Sequence, residues 1–159
     1  MSKGREAYGL RVSFPLFMRI TPRRTRAYRN ASSFAAALFL EYMERKFPFR
    51  IRAIQIDGGS EFKQHFEEAC RTHGIRLFII PSRSPKLQGY VESANKTHRV
   101  EFYEVEDIAL SMEEHNKQLE AWDRTCNTIR PHQSLDYQTP AEYYQAWLKL
   151  HPQSAVSLM

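Results

Sequence analysis

Two acidic residues sit where phosphodiester chemistry could be done. Asp57 closes the apolar run Ile51–Ile56 and is followed by Gly58-Gly59, so it falls where a strand stops and the chain turns. Glu92 lies in the first turns of a predicted helix, just after Ser84-Pro85-Lys86-Leu87-Gln88-Gly89-Tyr90-Val91. Oxygen-only ligation by such a pair suits hard cations, Mg²⁺ or Mn²⁺. Two such ions about 3.5–4 Å apart can activate an attacking oxygen and stabilise the leaving one. Against this, an Asp before Gly is commonly a turn residue and a helical Glu is commonly solvated, and spacing alone does not choose between the readings. Asn95, Lys96 and Arg99 follow Glu92 at helical intervals on its own face, with His98 on the adjoining stripe. Such groups suit phosphate positioning beside a metal, or equally an ordinary Glu–Lys surface pair.

The elements that must carry these residues follow from pattern and caps. Met1–Tyr8 has no periodicity and is expected to fray. Leu10–Ile20 is β-prone but interrupted by Pro15, which predicts one or two short strands. Thr21–Asn30 reads as a basic connection. Ser32 or Ser33 caps a helix to about Lys46, with Phe34, Leu38, Tyr42, Ala35, Leu40 and Met43 as its apolar face, and Pro48 ends it. Arg50–Ile56 reads as a buried strand. A helix over about Glu61–His73 uses Phe62, Phe66, Ala69 and Cys70, and Gly74 stops it. Arg76–Ile80 is a short strand, and Pro81 and Pro85 bracket a polar loop. Helices follow from Gln88 or Gly89 to about Phe102, from a Ser111/Glu114 capping box to about Asn127, and from Thr139-Pro140 with Glu142 to about Leu150. Residues 128–138 read as a loop. This order predicts an α/β domain, in which sites gather at the carboxyl ends of strands.

Composition is that of a soluble globular chain, and 159 residues make one domain. The net charge of +5 is unevenly placed: residues 1–30 hold eight Lys/Arg against the single acid Glu6. That asymmetry suggests a polyanionic partner or, alternatively, a loose basic tail. Cys70 and Cys126 are too few for a disulfide framework and read as packed free thiols in a reducing cytoplasm. No apolar run approaches the roughly 20 residues of a membrane span.

Asp57-Gly58-Gly59-Ser60-Glu61-Phe62, then Gly74-Ile75, then Ser84–Glu92 resemble the integrase catalytic core of insertion-sequence transposases and retroviral integrases. The run Asn127-Thr128-Ile129-Arg130-Pro131-His132-Gln133-Ser134-Leu135, followed by Thr139-Pro140-Ala141-Glu142, is similar to the end of that domain in bacterial members. The resemblance covers about residues 30–147. It implies a ribonuclease-H-like fold, a mixed sheet flanked by helices, and an Asp–Asp–Glu site holding Mg²⁺ or Mn²⁺. It implies cutting and joining of DNA at mobile-element ends, by a homo-oligomer in the cytoplasm near the nucleoid. Asp57 matches the second Asp and Glu92 the Glu. Lys86, Gln88, Asn95, Lys96 and Arg99 become DNA-binding candidates, with Gln88 near the DNA end. Asn127, Arg130, Pro131 and His132 form a structural motif in which Arg130 would order the loop before the last helix.

The departures carry their own expectations. No Asp occurs in residues 1–56, where the first of the triad should stand on the first strand; the acids there are Glu6, Glu41 and Glu44. Gly58 stands where relatives often have Asn, and Cys126 where they often have Tyr. Residues 1–29 thus read as a basic remnant of early strands, 30–150 as a partial core and 151–159 as a tail. The expected picture is a core lacking its first strand, from a truncated frame or a split gene, with one sheet edge unpaired and little or no activity alone. The alternatives are a non-catalytic DNA-binding or regulatory fragment that docks on full-length transposase, and a stand-alone metal nuclease with Glu6 as replacement ligand.

Overall fold

The computed structural model describes residues 7–8, 11–12, 22–56, 58–80, 96–97, 99–105 and 107–151. Its strands are β1 (Ala7–Tyr8), β2 (Arg11–Val12), β3 (Arg26–Ala27), β4 (Ala53–Ile56) and β5 (Arg76–Ile79). Its main helices are α1 (Ser33–Lys46), α2 (His65–Thr72), α3 (Met112–Thr128) and α4 (Pro140–Leu150). Shorter helical turns cover Ser60–Phe62, Arg99–Tyr103 and Gln133–Leu135.

β4 and β5 pair in parallel, Ile54 opposite Leu77 and Ile56 opposite Ile79. Parallel neighbours need a crossover, and α2 supplies it. On the other side of β4 lies β2, antiparallel, with Arg11 opposite Gln55 and Val12 opposite Ile54. The expected bare edge is therefore covered at those two residues. β1 and β3 form a separate antiparallel ribbon, Ala7 opposite Ala27 and Tyr8 opposite Arg26. The fraying expected of residues 1–8 is corrected at Ala7 and Tyr8, where ladder bonds outweigh the lack of pattern.

One core cluster joins Phe39, Leu40 and Met43 of α1, Ile54 and Ile56 of β4, Phe62, Phe66, Cys70 and Tyr144 of α4. Each such side chain gains about 1.5–3 kcal/mol over leaving it exposed. Phe47 and Phe49, either side of Pro48, stack at 4.8 Å, and Phe49 meets Tyr144 at 5.4 Å. A smaller cluster gathers Ala27, Phe102 and Leu119, with Tyr103 and Trp122 against it.

α1 begins as expected: the Ser32 hydroxyl accepts from the Ala35 N–H. Its buried face differs. Ala35, Ala36, Phe39, Leu40, Tyr42 and Met43 point inward, whereas Phe34 is 61% exposed and Leu38 37%. The helix is apolar most of the way round, so spacing left the inner face open and packing against β4 and α2 chose it. The predicted helix over 61–73 is broken: a tight turn at Ser60–Phe62 and then α2, separated by Gln64 at φ +44°. Its first turn is satisfied from α1, the His65 N–H donating to Ser33 Oγ at 2.8 Å. At its other end Gly74 takes φ +65°, with the Ile75 N–H returning to the Cys70 carbonyl at 2.8 Å.

The predicted strand at 50–56 shortens to β4, with Ile51 buried just before it. Of the predicted helix over 88–102, Lys96 and Thr97 are helical and Arg99–Tyr103 form a wider π-type turn; the remainder lies outside the described residues. Ser111 caps α3 by accepting from the Glu114 N–H, but the Glu114 carboxylate returns to the Ser111 hydroxyl rather than its N–H, so only half of that capping box forms. At Thr139 both halves are present, and α4 ends at Leu150 as expected.

Candidate nucleic-acid interface and metal site

The carboxyl end of the parallel pair is firmly built. The Ile56 carbonyl accepts from the Ile80 N–H at 2.8 Å, so β4 is locked to β5 up to the residue before Asp57 in sequence. Gly58 takes φ +82°, and a β-carbon there would lie 3.1 Å from Ile79 Cγ2. That backbone region is open to Gly and, among side-chain residues, best to Asn. The Glu61 carboxylate folds back over Gly59, where a β-carbon would meet it at 2.6–2.7 Å. Phe62 then drops into the core and fixes the turn from below.

Asp57, Lys86, Gln88, Glu92 and Asn95 lie outside the described residues. Lys96 and Arg99 are described, and both are exposed. Among the described residues no group of three or more His, Cys, Asp or Glu side chains could hold a metal ion. Asp57 and Glu92, the expected ligands of Mg²⁺ or Mn²⁺, are not among the residues this covers.

The motif that follows α3 is well defined. Asn127 is buried and faces the extended segment before α1: the Arg23 N–H donates to its Oδ1 at 2.6 Å, and its Nδ2 donates to the Arg23 carbonyl at 2.7 Å. Arg130 reaches Glu101, Nη2 to Oε1 at 2.9 Å with Nη1 on the other carboxylate oxygen. The guanidinium beside Glu101 holds that carboxyl below its ordinary value, against the opposing pull of burial. His132 Nε2 lies 3.5 Å from the Cys126 carbonyl, and Pro131 is exposed. The loop itself is closed by backbone, His132 N–H to the Gln138 carbonyl and Tyr137 N–H to the His132 carbonyl, each 3.0 Å.

Sequence reasoning missed the partners of this motif. Thr25 donates its N–H to Asp123 Oδ2 at 2.5 Å and its hydroxyl to Oδ1 at 2.9 Å. The Ala27 N–H donates to Asn116 Oδ1 at 2.8 Å, and Asn116 Nδ2 returns a bond to the Ala27 carbonyl at 3.2 Å. Alternate residues of an extended chain present their backbone to one side. Asn116, Asp123 and Asn127 meet residues 27, 25 and 23 in that order, so α3 acts as the second edge partner of this strand. The reading of Thr21–Asn30 as a connection is corrected: from Arg23 it is an extended, pinned segment. A signal existed, three polar residues on the same side of α3 as buried Leu119 and Cys126.

Burial drives the Asp123 carboxyl up to about 6, although the two Thr25 donors and the nearby Arg23 and Arg24 pull the other way. Beside it a polar cleft of about 190 Å³ is lined by Arg24, Tyr42, Lys46, Glu120, Asp123 and Arg124 among others. Its charges answer one another. Glu120 has Arg26 at 3.8 Å, Lys46 at 3.6 Å and the Tyr42 hydroxyl at 3.3 Å. Arg26 lies over the Tyr42 ring and Arg24 over Phe47. The cleft is a structural junction of α1, α3 and the pinned segment.

The two thiols behave as packing groups. Cys70 and Cys126 are both free and buried. Burial, then the carboxylates of Glu44 and Glu67, push Cys70 up to about 11. No helix among the described residues is long and apolar enough to cross a membrane.

The fold is that of a ribonuclease-H-like integrase catalytic core. Residues 73–140 match the family model of the integrase core domain. Over 93 residues the chain is 32% identical to an uncharacterized 39.2 kDa protein of insertion element IS476 from Xanthomonas euvesicatoria, covering 58% of this chain and 27% of that protein. It is 28% identical over 93 residues to an uncharacterized 31.7 kDa protein of insertion element IS407 from Burkholderia multivorans, covering 58% and 33%. The chain thus spans about a third or less of these relatives. The catalytic core domain of BIV integrase superposes with a TM-score of 0.62 at 18% identity, over 81% of this chain and 82% of that one.

Proposed function

We propose that this chain is the catalytic-core part of an insertion-element transposase, acting on DNA at element ends and target sites by metal-assisted phosphodiester chemistry. The observation that carries the reading is the parallel β4–β5 junction, with the Asp57-Gly58-Gly59 turn of the integrase core directly after it in sequence. Asp57 and Glu92 are the metal-binding carboxylates in this reading, with Mg²⁺ or Mn²⁺ as the ion. When bound, such ions neutralise phosphate charge and favour ionisation of an attacking water or 3′-hydroxyl. Lys86, Gln88, Asn95, Lys96 and Arg99 bind the DNA backbone and end. The working form is a homo-oligomer.

No Asp stands in residues 1–56 to complete a three-carboxylate set. By itself the chain therefore turns over little or no DNA. The measurement is 3′-end processing and strand transfer on an oligonucleotide of the element end, with Mg²⁺ and with Mn²⁺. Product at background level is expected. Turnover that disappears in Asp57→Asn and Glu92→Gln would overturn the expectation of inactivity. The same missing Asp favours a second reading, a regulatory fragment that associates with full-length transposase. Suppression of transposase activity when this chain is added, without cleavage by the chain itself, would select it.

A further inference from the structure

Backbone hydrogen bonds close the loop that Arg130 opens. The Arg130 guanidinium grips Glu101 with both terminal nitrogens. Two parallel bonds between planar groups fix orientation as well as distance, which a lysine in that place cannot do. Glu101 stands in the middle of the Arg99–Tyr103 turn. That turn has a second anchor, Phe102, which is 1% exposed and packs beside Leu119 and the rings of Tyr103, His115 and Trp122. Phe102 therefore holds the turn from the interior and Glu101 holds it at the rim, while Arg99 and, three residues upstream, Lys96 remain exposed.

We infer that Arg130 is a positioning residue for DNA: through Glu101 it clamps the Arg99–Tyr103 turn to the end of α3 and so holds Lys96 and Arg99 in place for a phosphate backbone. The inference rests on the DNA reading above. It also separates Arg130 from a direct phosphate contact, because its two outer nitrogens are already committed to a carboxylate.

The test uses the full chain, a short DNA duplex and a salt titration, with Arg130→Ala, Arg130→Lys, Glu101→Ala and the exchanged pair Arg130→Glu/Glu101→Arg. Positioning predicts that both alanine variants weaken binding, by about 3- to 10-fold. Loss of the Glu101 charge alone should favour a polyanion, so weakening in Glu101→Ala is the informative sign. The salt slope should change alike in the two alanine variants, Arg130→Lys should recover little, and the exchanged pair should recover most of the affinity. A tighter Glu101→Ala, or a salt slope reduced by about 1 in Arg130→Ala but not in Glu101→Ala, would mark a direct phosphate contact and overturn the inference. Hydrogen exchange gives a readout independent of DNA. The Glu104 and Val105 amides donate to the Arg99 and Phe102 carbonyls and close the turn. They should exchange several-fold faster in both alanine variants and recover in the exchanged pair; unchanged exchange would overturn the clamp. If the wild-type chain binds no DNA, the DNA reading fails, and exchange at these amides still decides whether the clamp exists.

Discussion

Asp123 is a carboxylate whose environment opposes its charge. It is 2% exposed, and desolvation outweighs the two Thr25 donors, taking it from 3.8 to about 6. The folded chain therefore holds this proton more tightly than the unfolded chain does. The group's contribution to stability is complete below about pH 4 and is lost as pH rises through about 6, by about 3 kcal/mol at most for a shift of this size. Denaturant midpoints for the chain and for Asp123→Asn, measured from pH 4 to 7, should show the difference between the two shrinking as pH rises. Parallel curves would contradict it.

At the scale of the element, α3 does the work of a strand. Its polar stripe satisfies the backbone of residues 23, 25 and 27, and the ribbon partner β1 pairs with Arg26 and Ala27. A buried extended segment must satisfy every N–H and C=O, and side-chain amides suit this because each offers a donor and an acceptor. Asn127 and Asn116 make both bonds to one residue each. Asn127→Ala should leave the Arg23 N–H and C=O without these partners and cost about 1–3 kcal/mol. Thermal unfolding would register this as a fall in Tm of several degrees. Asn127→Asp keeps the acceptor but loses the donor to the Arg23 carbonyl, so it should be intermediate. An unchanged Tm in Asn127→Ala would remove the Asn127–Arg23 bonds from the account of stability.

For the whole molecule, the distribution of charge and the sheet bear on function together. The surplus of basic residues lies in residues 1–30, yet part of it is used internally: Arg26 answers Glu120, and Arg24 lies on Phe47 and donates to the Lys46 carbonyl. The basic segment is thus no loose tail from Arg23 onward. DNA binding by the chain should still weaken steeply with salt, with log K falling against log salt at a slope of about −2 or steeper if two or three phosphates are neutralised. A flat salt dependence would point away from a phosphate-backbone interface. The proposed activity belongs to the same scale: a three-carboxylate site would draw on separate elements, and the sequence has no Asp upstream of Asp57.

The sequence by itself determined what local interactions determine. Ser32, Ser111 and Thr139 mark the starts of α1, α3 and α4 because each cap bonds a residue three positions on. Gly74 marks the end of α2 because few other residues take its backbone angle at low cost. Short apolar runs located β4 and β5, and the motifs pointed to the integrase-core fold. Only the tertiary structure decided which face of an apolar α1 turned inward, since Phe34 and Phe39 are equally hydrophobic and differ in what lies opposite them. The break at Gln64, where α2 takes its cap from Ser33, was likewise set by a distant partner. The pinning of residues 23–27 on α3 and the Arg130–Glu101 pair join positions far apart in the chain; the polar stripe of α3 signals a polar partner but not which one, and Arg130 and Glu101 carry no local signal of each other. Contacts of that kind depend on where the packed elements bring side chains, which no window of sequence contains.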